Sequence, residues 1–72
     1  MAPLQASLER FGEVVRAQRK FKDWSQDQLA EAADVSRPTV ARIEAGAEVS
    51  TGTLSRIATA LGLEVHIELP SD

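Results

Sequence analysis

Cysteine is absent from the 72-residue sequence, which excludes disulfides, thiolate nucleophiles and cysteine metal sites. Histidine occurs once, as His66, too little from which to build a metal centre. There is no tyrosine and no glycine-rich phosphate loop, and His66 has no serine partner at a catalytic spacing. The materials of an enzyme site are therefore missing: a nucleophile with its base, a metal, or a phosphate cradle. The expectation is a protein that is not an enzyme and carries no cofactor. No stretch approaches the roughly 18 consecutive apolar residues of a membrane span. The opening Met1-Ala2-Pro3-Leu4-Gln5 lacks the basic lead and apolar run of a signal peptide. A cytoplasmic protein with no membrane partner is expected.

Basic charge is also in short supply. Eight lysines and arginines face eleven acidic residues, for a net charge of −3, whereas nucleic-acid binders usually carry a basic footprint. The deficit is uneven. Residues 1–24 hold Arg10, Arg16, Arg19, Lys20 and Lys22 against Glu9, Glu13 and Asp23. From Ala47 onward only Arg56 opposes Glu48, Glu64, Glu68 and Asp72. A basic first half and an acidic tail remain compatible with a local DNA face.

The length suits a single domain over residues 1–72, with 1–6 as a flexible extension. A domain of this size buries only about 60% of its unfolded surface, and such chains often rely on disulfides, metals or oligomerisation. Association of copies is the remedy left open here.

Four helices are expected. In the first, about Ser7 to Lys20, Leu8, Phe11 and Val15 share one face. The next three begin alike. Ser25 is a candidate N-cap with Gln28 three residues on, a capping box, and Trp24 and Leu29 occupy the positions of a hydrophobic staple. Val35-Ser36 with Val40, and Val49-Ser50 with Leu54, repeat the arrangement, and Pro38 falls in a first turn. These starts predict helices over Gln26–Ala33, Arg37–Ala45 and Thr51–Leu61, closed in the last two cases by Gly46 and Gly62. The tail then changes period. Glu64-Val65-His66-Ile67-Glu68-Leu69 alternates polar and apolar residues and reads as a strand within 63–69. A lone strand cannot satisfy its own backbone groups, so Val65, Ile67 and Leu69 are expected to pair with the same strand of a second copy. His66 falls on its polar face with Glu64 and Glu68, as an exposed strand residue or a pH-sensitive contact.

Only Asp34-Val35-Ser36 separates the second and third helices, the short turn of a helix-turn-helix unit. Leu29, Ala33, Val35, Val40 and Ile43 supply its apolar interior, and the small Ala30 permits close approach. Asp34 stands where the chain turns through positive φ, which aspartate tolerates. Gln26 opens the second helix, where backbone N–H groups favour a phosphate. Its other reading is a good helix former. Trp24 is read as core through its staple position.

Residues from about Phe11 to Leu69 resemble the lambda-repressor/Cro (Xre-like) helix-turn-helix family. The matching residues are Ser25-Gln26-Asp27-Gln28-Leu29-Ala30, Val35-Ser36-Arg37, Ile43-Glu44-Ala45-Gly46, Thr53-Leu54 and Ala60-Leu61-Gly62. Two departures are visible: Asp34 stands where the family usually has glycine, and a strand replaces a fifth helix found in many members. Ending on a strand is similar to the layout of HipB-type antitoxins. The resemblance implies an all-α, four-helix lambda-repressor-like domain with one C-terminal β-strand pairing across a dimer. It also implies DNA-binding roles by position. Arg37, Pro38 and Arg42 fall where members present side chains to base edges. An arginine at 42 can reach guanine O6 and N7, Arg37 suits a phosphate or a base, and Pro38 offers only apolar contact. Gln26, with Ser25 beside it, falls at the backbone clamp. Ser36 and Thr39 suit phosphate contacts, with capping the alternative for Ser36. Arg19 and Glu44 match an internal ion pair. The run Arg19-Lys20 with Lys22 is either a solvated basic face or a backbone approach.

The function implied is a homodimeric, sequence-specific transcriptional regulator on double-stranded operator DNA, either an autoregulating repressor or the antitoxin of a toxin–antitoxin pair with a cognate toxin as partner. The alternative is a protein-interaction module of the same fold that does not read DNA sequence, a reading favoured by the acidic balance and by Pro38.

Overall fold

The computed structural model describes residues 4–63. Over that range the chain forms four helices: α1 (Leu4–Phe21), α2 (Gln26–Ala33), α3 (Arg37–Glu44) and α4 (Thr51–Leu61). The bounds of α2 and α4 are those expected from their caps. Helix α3 stops one residue short of the expected Ala45, which serves as its C-cap at φ −86°. Helix α1 starts at Leu4 rather than Ser7, so residues 4–6 are helical. The apolar spacing explains the difference: Leu4 continues the series Leu8, Phe11, Val15 at helical intervals. The expected strand 64–69, with Val65, His66, Ile67 and Leu69, lies outside the described residues. Leu63, included in its range, is not strand; it belongs to the end of α4, its N–H donating to the Ala58 carbonyl at 2.8 Å. Among the described residues no helix is long and apolar enough to cross a membrane.

Helices α2, α3 and α4 each owe their start to a serine. Ser25, Ser36 and Ser50 all adopt extended φ/ψ and accept a hydrogen bond from the backbone N–H three residues on, satisfying a donor that the first turn leaves without a partner. At Ser25 the box is complete, with the Gln28 Oε1 accepting from the Ser25 N–H at 2.7 Å.

The helix ends also share one device, foreseen at three of the four ends and not at Asp23. Positive φ occurs at Asp23 (59°), Asp34 (57°), Gly46 (83°) and Gly62 (73°). After each, the following N–H reaches back five residues: Trp24 to Arg19, Val35 to Ala30, Ala47 to Arg42 and Leu63 to Ala58, closing the helix in a Schellman motif. Two joins thereby use one tripeptide pattern. In Asp23-Trp24-Ser25 and again in Asp34-Val35-Ser36, an aspartate reverses the chain, an apolar residue plugs the core and a serine caps the next helix. That repetition was the available signal for Asp23.

Helix α1 packs on α3 and α4, and α2 packs on the same two helices. All four helices meet in one core, where Val15, Leu29, Val40, Ile43 and Ile57 are fully enclosed. Burying a side chain of this kind contributes about 1.5–3 kcal/mol. Trp24, Val35, Val49 and Leu54 close the edges, as their staple positions require. Gly12 sets the approach of α1 to α3: a Cβ there would collide with the Ile43 carbonyl oxygen.

Candidate nucleic-acid interface

Helix α3 has two unlike faces. Val40 and Ile43 point into the core, while Arg37, Pro38, Ala41, Arg42 and Ala45 are exposed. Positions 38, 41, 42 and 45 share a face because they recur at helical spacing. That face is narrow and mostly small, with one long cation. Arg42 forms no ion pair or side-chain hydrogen bond among the described residues. Arg37 lies 3.7 Å from Asp27, with both side chains largely in solvent, a contact worth at most about 1 kcal/mol.

The serine and threonine candidates are engaged locally. Ser36 Oγ and Thr39 Oγ1 lie 2.7 Å apart, and Ser36 also accepts from the Thr39 N–H at 3.3 Å. Ser25 Oγ accepts from the Gln28 N–H at 3.1 Å. Each hydroxyl therefore has a capping partner, with an acceptor lone pair or a rotating proton to spare.

Behind α3 stands an ordered ion pair. Arg19 donates through Nε to Glu44 Oε2 at 2.7 Å and through Nη2 to Oε1 at 3.1 Å, a two-point contact. A third bond, from Nη1 to the Trp24 carbonyl at 2.7 Å, ties the same guanidinium to the α1–α2 turn. Only 11% of the arginine side chain and 6% of the glutamate are exposed. The hydrogen bond to Glu44 raises the Arg19 pKa above its ordinary value, burial opposes this, and Coulombic attraction to Glu44 adds to it. A raised cation pKa contributes stability that is fully present below the unfolded value and lost only as pH rises through the folded one. The contribution from Arg19 is therefore undiminished through the neutral range.

Gln26 joins this cluster. Its Nε2 donates to Glu44 Oε1 at 3.3 Å, which leaves the carboxamide oxygen and the remaining N–H available. The pairing of Arg19 with Glu44 was expected; the link from Glu44 to Gln26 was not. Together with Arg16, Ala41 and Ala45, these residues line an open, polar groove between α1 and α3. Arg16 received no role from the sequence. Its signal is its place three residues before Arg19, which puts both on one side of α1.

Two helices joined by a three-residue turn, with the second helix exposed along one side, define a helix-turn-helix protein. Residues 15–67, most of the chain, match the helix-turn-helix family model, and the chain belongs to that lambda-repressor-like (Xre-like) family of DNA-binding transcription regulators. No curated protein matches the chain.

Proposed function

We propose that this protein is a homodimeric repressor that reads operator DNA by laying α3 in the major groove. The observation that carries this reading is the exposed face of α3, where Pro38, Ala41 and Ala45 leave room for close approach and Arg42 has no ion pair or side-chain hydrogen bond among the described residues. Arg42 is assigned to guanine in the major groove, where a bidentate contact discriminates by about 1–3 kcal/mol. Pro38 makes apolar contact, and Arg37 contacts a phosphate or a neighbouring base. Gln26 and Ser25 hold the DNA backbone at the start of α2, with Ser36 and Thr39 at the start of α3; contacts of that kind fix register and carry no sequence information.

Dimerisation through Val65, Ile67 and Leu69 would set the distance between two copies of α3. A symmetric dimer places them one DNA turn apart, about 34 Å. Such a protein regulates its own promoter, alone or as the antitoxin to a toxin whose binding alters the dimer. The net charge of −3 favours the second reading, a protein-interaction module that does not read DNA.

Selection of duplexes from a random-sequence pool with the full chain separates these. The expected product is an inverted repeat with half-sites about 10–10.5 bp apart, centre to centre. Single, unpaired half-sites would remove the dimer from the account. Failure to enrich any sequence would turn the protein over to the interaction-module reading.

A further inference from the structure

We infer that Arg16 is a DNA-backbone contact, gripping one phosphate in the groove between α1 and α3; this rests on the DNA-binding reading above. Arg19 spends its charge on Glu44 through two hydrogen bonds. Glu44 in turn spends its second oxygen on both Arg19 and Gln26. The groove these three line therefore carries no net charge from the pair. Arg16 is exposed at its edge and makes no ion pair or side-chain hydrogen bond among the described residues. One uncompensated guanidinium thus remains in a groove whose other lining is small or neutral: Gln26, Ala41 and Ala45.

Arg10, Lys20 and Arg42 also make no ion pair or side-chain hydrogen bond among the described residues, but none of them lines this groove, and three other cations are engaged elsewhere. Arg37 lies beside Asp27, Lys22 lies 5.4 Å over the Trp24 ring, and Arg56 reaches the Asp34 carbonyl at 3.4 Å. Ala41 and Ala45 belong both to this groove and to the exposed face of α3. DNA seated on that face brings a sugar-phosphate backbone along the α1 side of α3, where Arg16 stands. A guanidinium fork matches phosphate oxygens in two-point geometry.

The test is fluorescence anisotropy of the full chain on a duplex recovered by selection, between 50 and 200 mM salt, with wild type, Arg16→Gln and Arg16→Lys. Neutralising one phosphate contact changes the slope of log affinity against log salt by about 0.9. Arg16→Gln is therefore expected to flatten the slope by about 0.9 per bound protomer. Its deficit relative to wild type should narrow by roughly threefold per protomer across that salt range. Arg16→Lys should restore the slope, and base preferences should stay unchanged in both variants. A methylphosphonate substituted at the contacted phosphate should weaken wild type and leave Arg16→Gln unaffected. A wild-type slope in Arg16→Gln, or a lost slope in Arg16→Lys, would overturn the assignment while leaving DNA binding intact. If wild type itself binds no duplex, the DNA reading fails and Arg16 fails with it.

Discussion

Replacing Glu44 with alanine is expected to remove about 3–5 kcal/mol of stability, a large share of what a domain of this size possesses. The reason is the guanidinium left behind. Arg19 is 11% exposed and lies beneath the end of α3, held by Glu44 at 2.7 and 3.1 Å. Removing one partner of a buried pair costs about 3–5 kcal/mol, chiefly because the survivor keeps its desolvation penalty without its counter-charge. A 72-residue chain has roughly 4–11 kcal/mol in total. Thermal unfolding should show a fall of more than about 10 °C. Glu44→Gln retains an acceptor oxygen and should lose less. Asp27→Ala, which breaks the exposed contact with Arg37, should change stability by under 1 kcal/mol. Equal shifts for Glu44→Ala and Asp27→Ala would show that the inner pair is not structural.

The second large effect belongs to Gly12. In a helix interior, exchanging glycine for alanine ordinarily stabilises by up to about 1 kcal/mol. Here the sign should reverse. The added methyl would strike the Ile43 carbonyl oxygen and come within 3.2 Å of both the carbonyl carbon and oxygen of Glu44. All three atoms are main chain of α3, so relief requires moving one helix off the other. Overpacking of this kind costs about 1–3 kcal/mol, and here it also displaces the residue that pairs with Arg19. Gly12→Ala is expected to lower the unfolding midpoint while Gly52→Ala leaves it unchanged or raises it, since only Ser50 Oγ, at 4.0 Å, borders that site. Parallel urea titrations of the two variants check the contrast. A stabilised Gly12→Ala would mean that α1 and α3 tolerate a wider spacing.

Of these two residues, Glu44 was legible as the partner of Arg19, while Gly12 marks where the sequence stopped being informative. Serine caps and their apolar neighbours act within one turn, so Ser25, Ser36 and Ser50 announced three helices and the bounds of α2 and α4. The turn at Asp34 was legible for the same reason. Asp23 obeys the same Asp-apolar-Ser pattern but went unread, because the first helix was placed by the spacing of Leu8, Phe11 and Val15, which carries no signal for its end. The start of α1 was misplaced at Ser7 because no cap comparable to the other three marks it. Gly12 could not be read at all: its constraint comes from a carbonyl 31 residues away, and in sequence it is only a weak point in a helix.

The candidate site divides similarly. Arg37, Pro38 and Arg42 were named through the family resemblance, which assigns base-facing positions, and all three are exposed on α3. The link from Glu44 to Gln26, and the groove that leaves Arg16 as the uncompensated charge, depend on how α1, α2 and α3 converge.

The central claim is that Arg42 on α3 reads base sequence. The most direct measurement compares wild type and Arg42→Ala on a selected duplex and on its scrambled counterpart, at one fixed salt concentration. The expected result is a loss of about 5- to 150-fold per half-site on the selected duplex, equivalent to 1–3 kcal/mol, with a much smaller loss on the scrambled one. Equal losses on both duplexes, or none on either, would contradict base readout by α3.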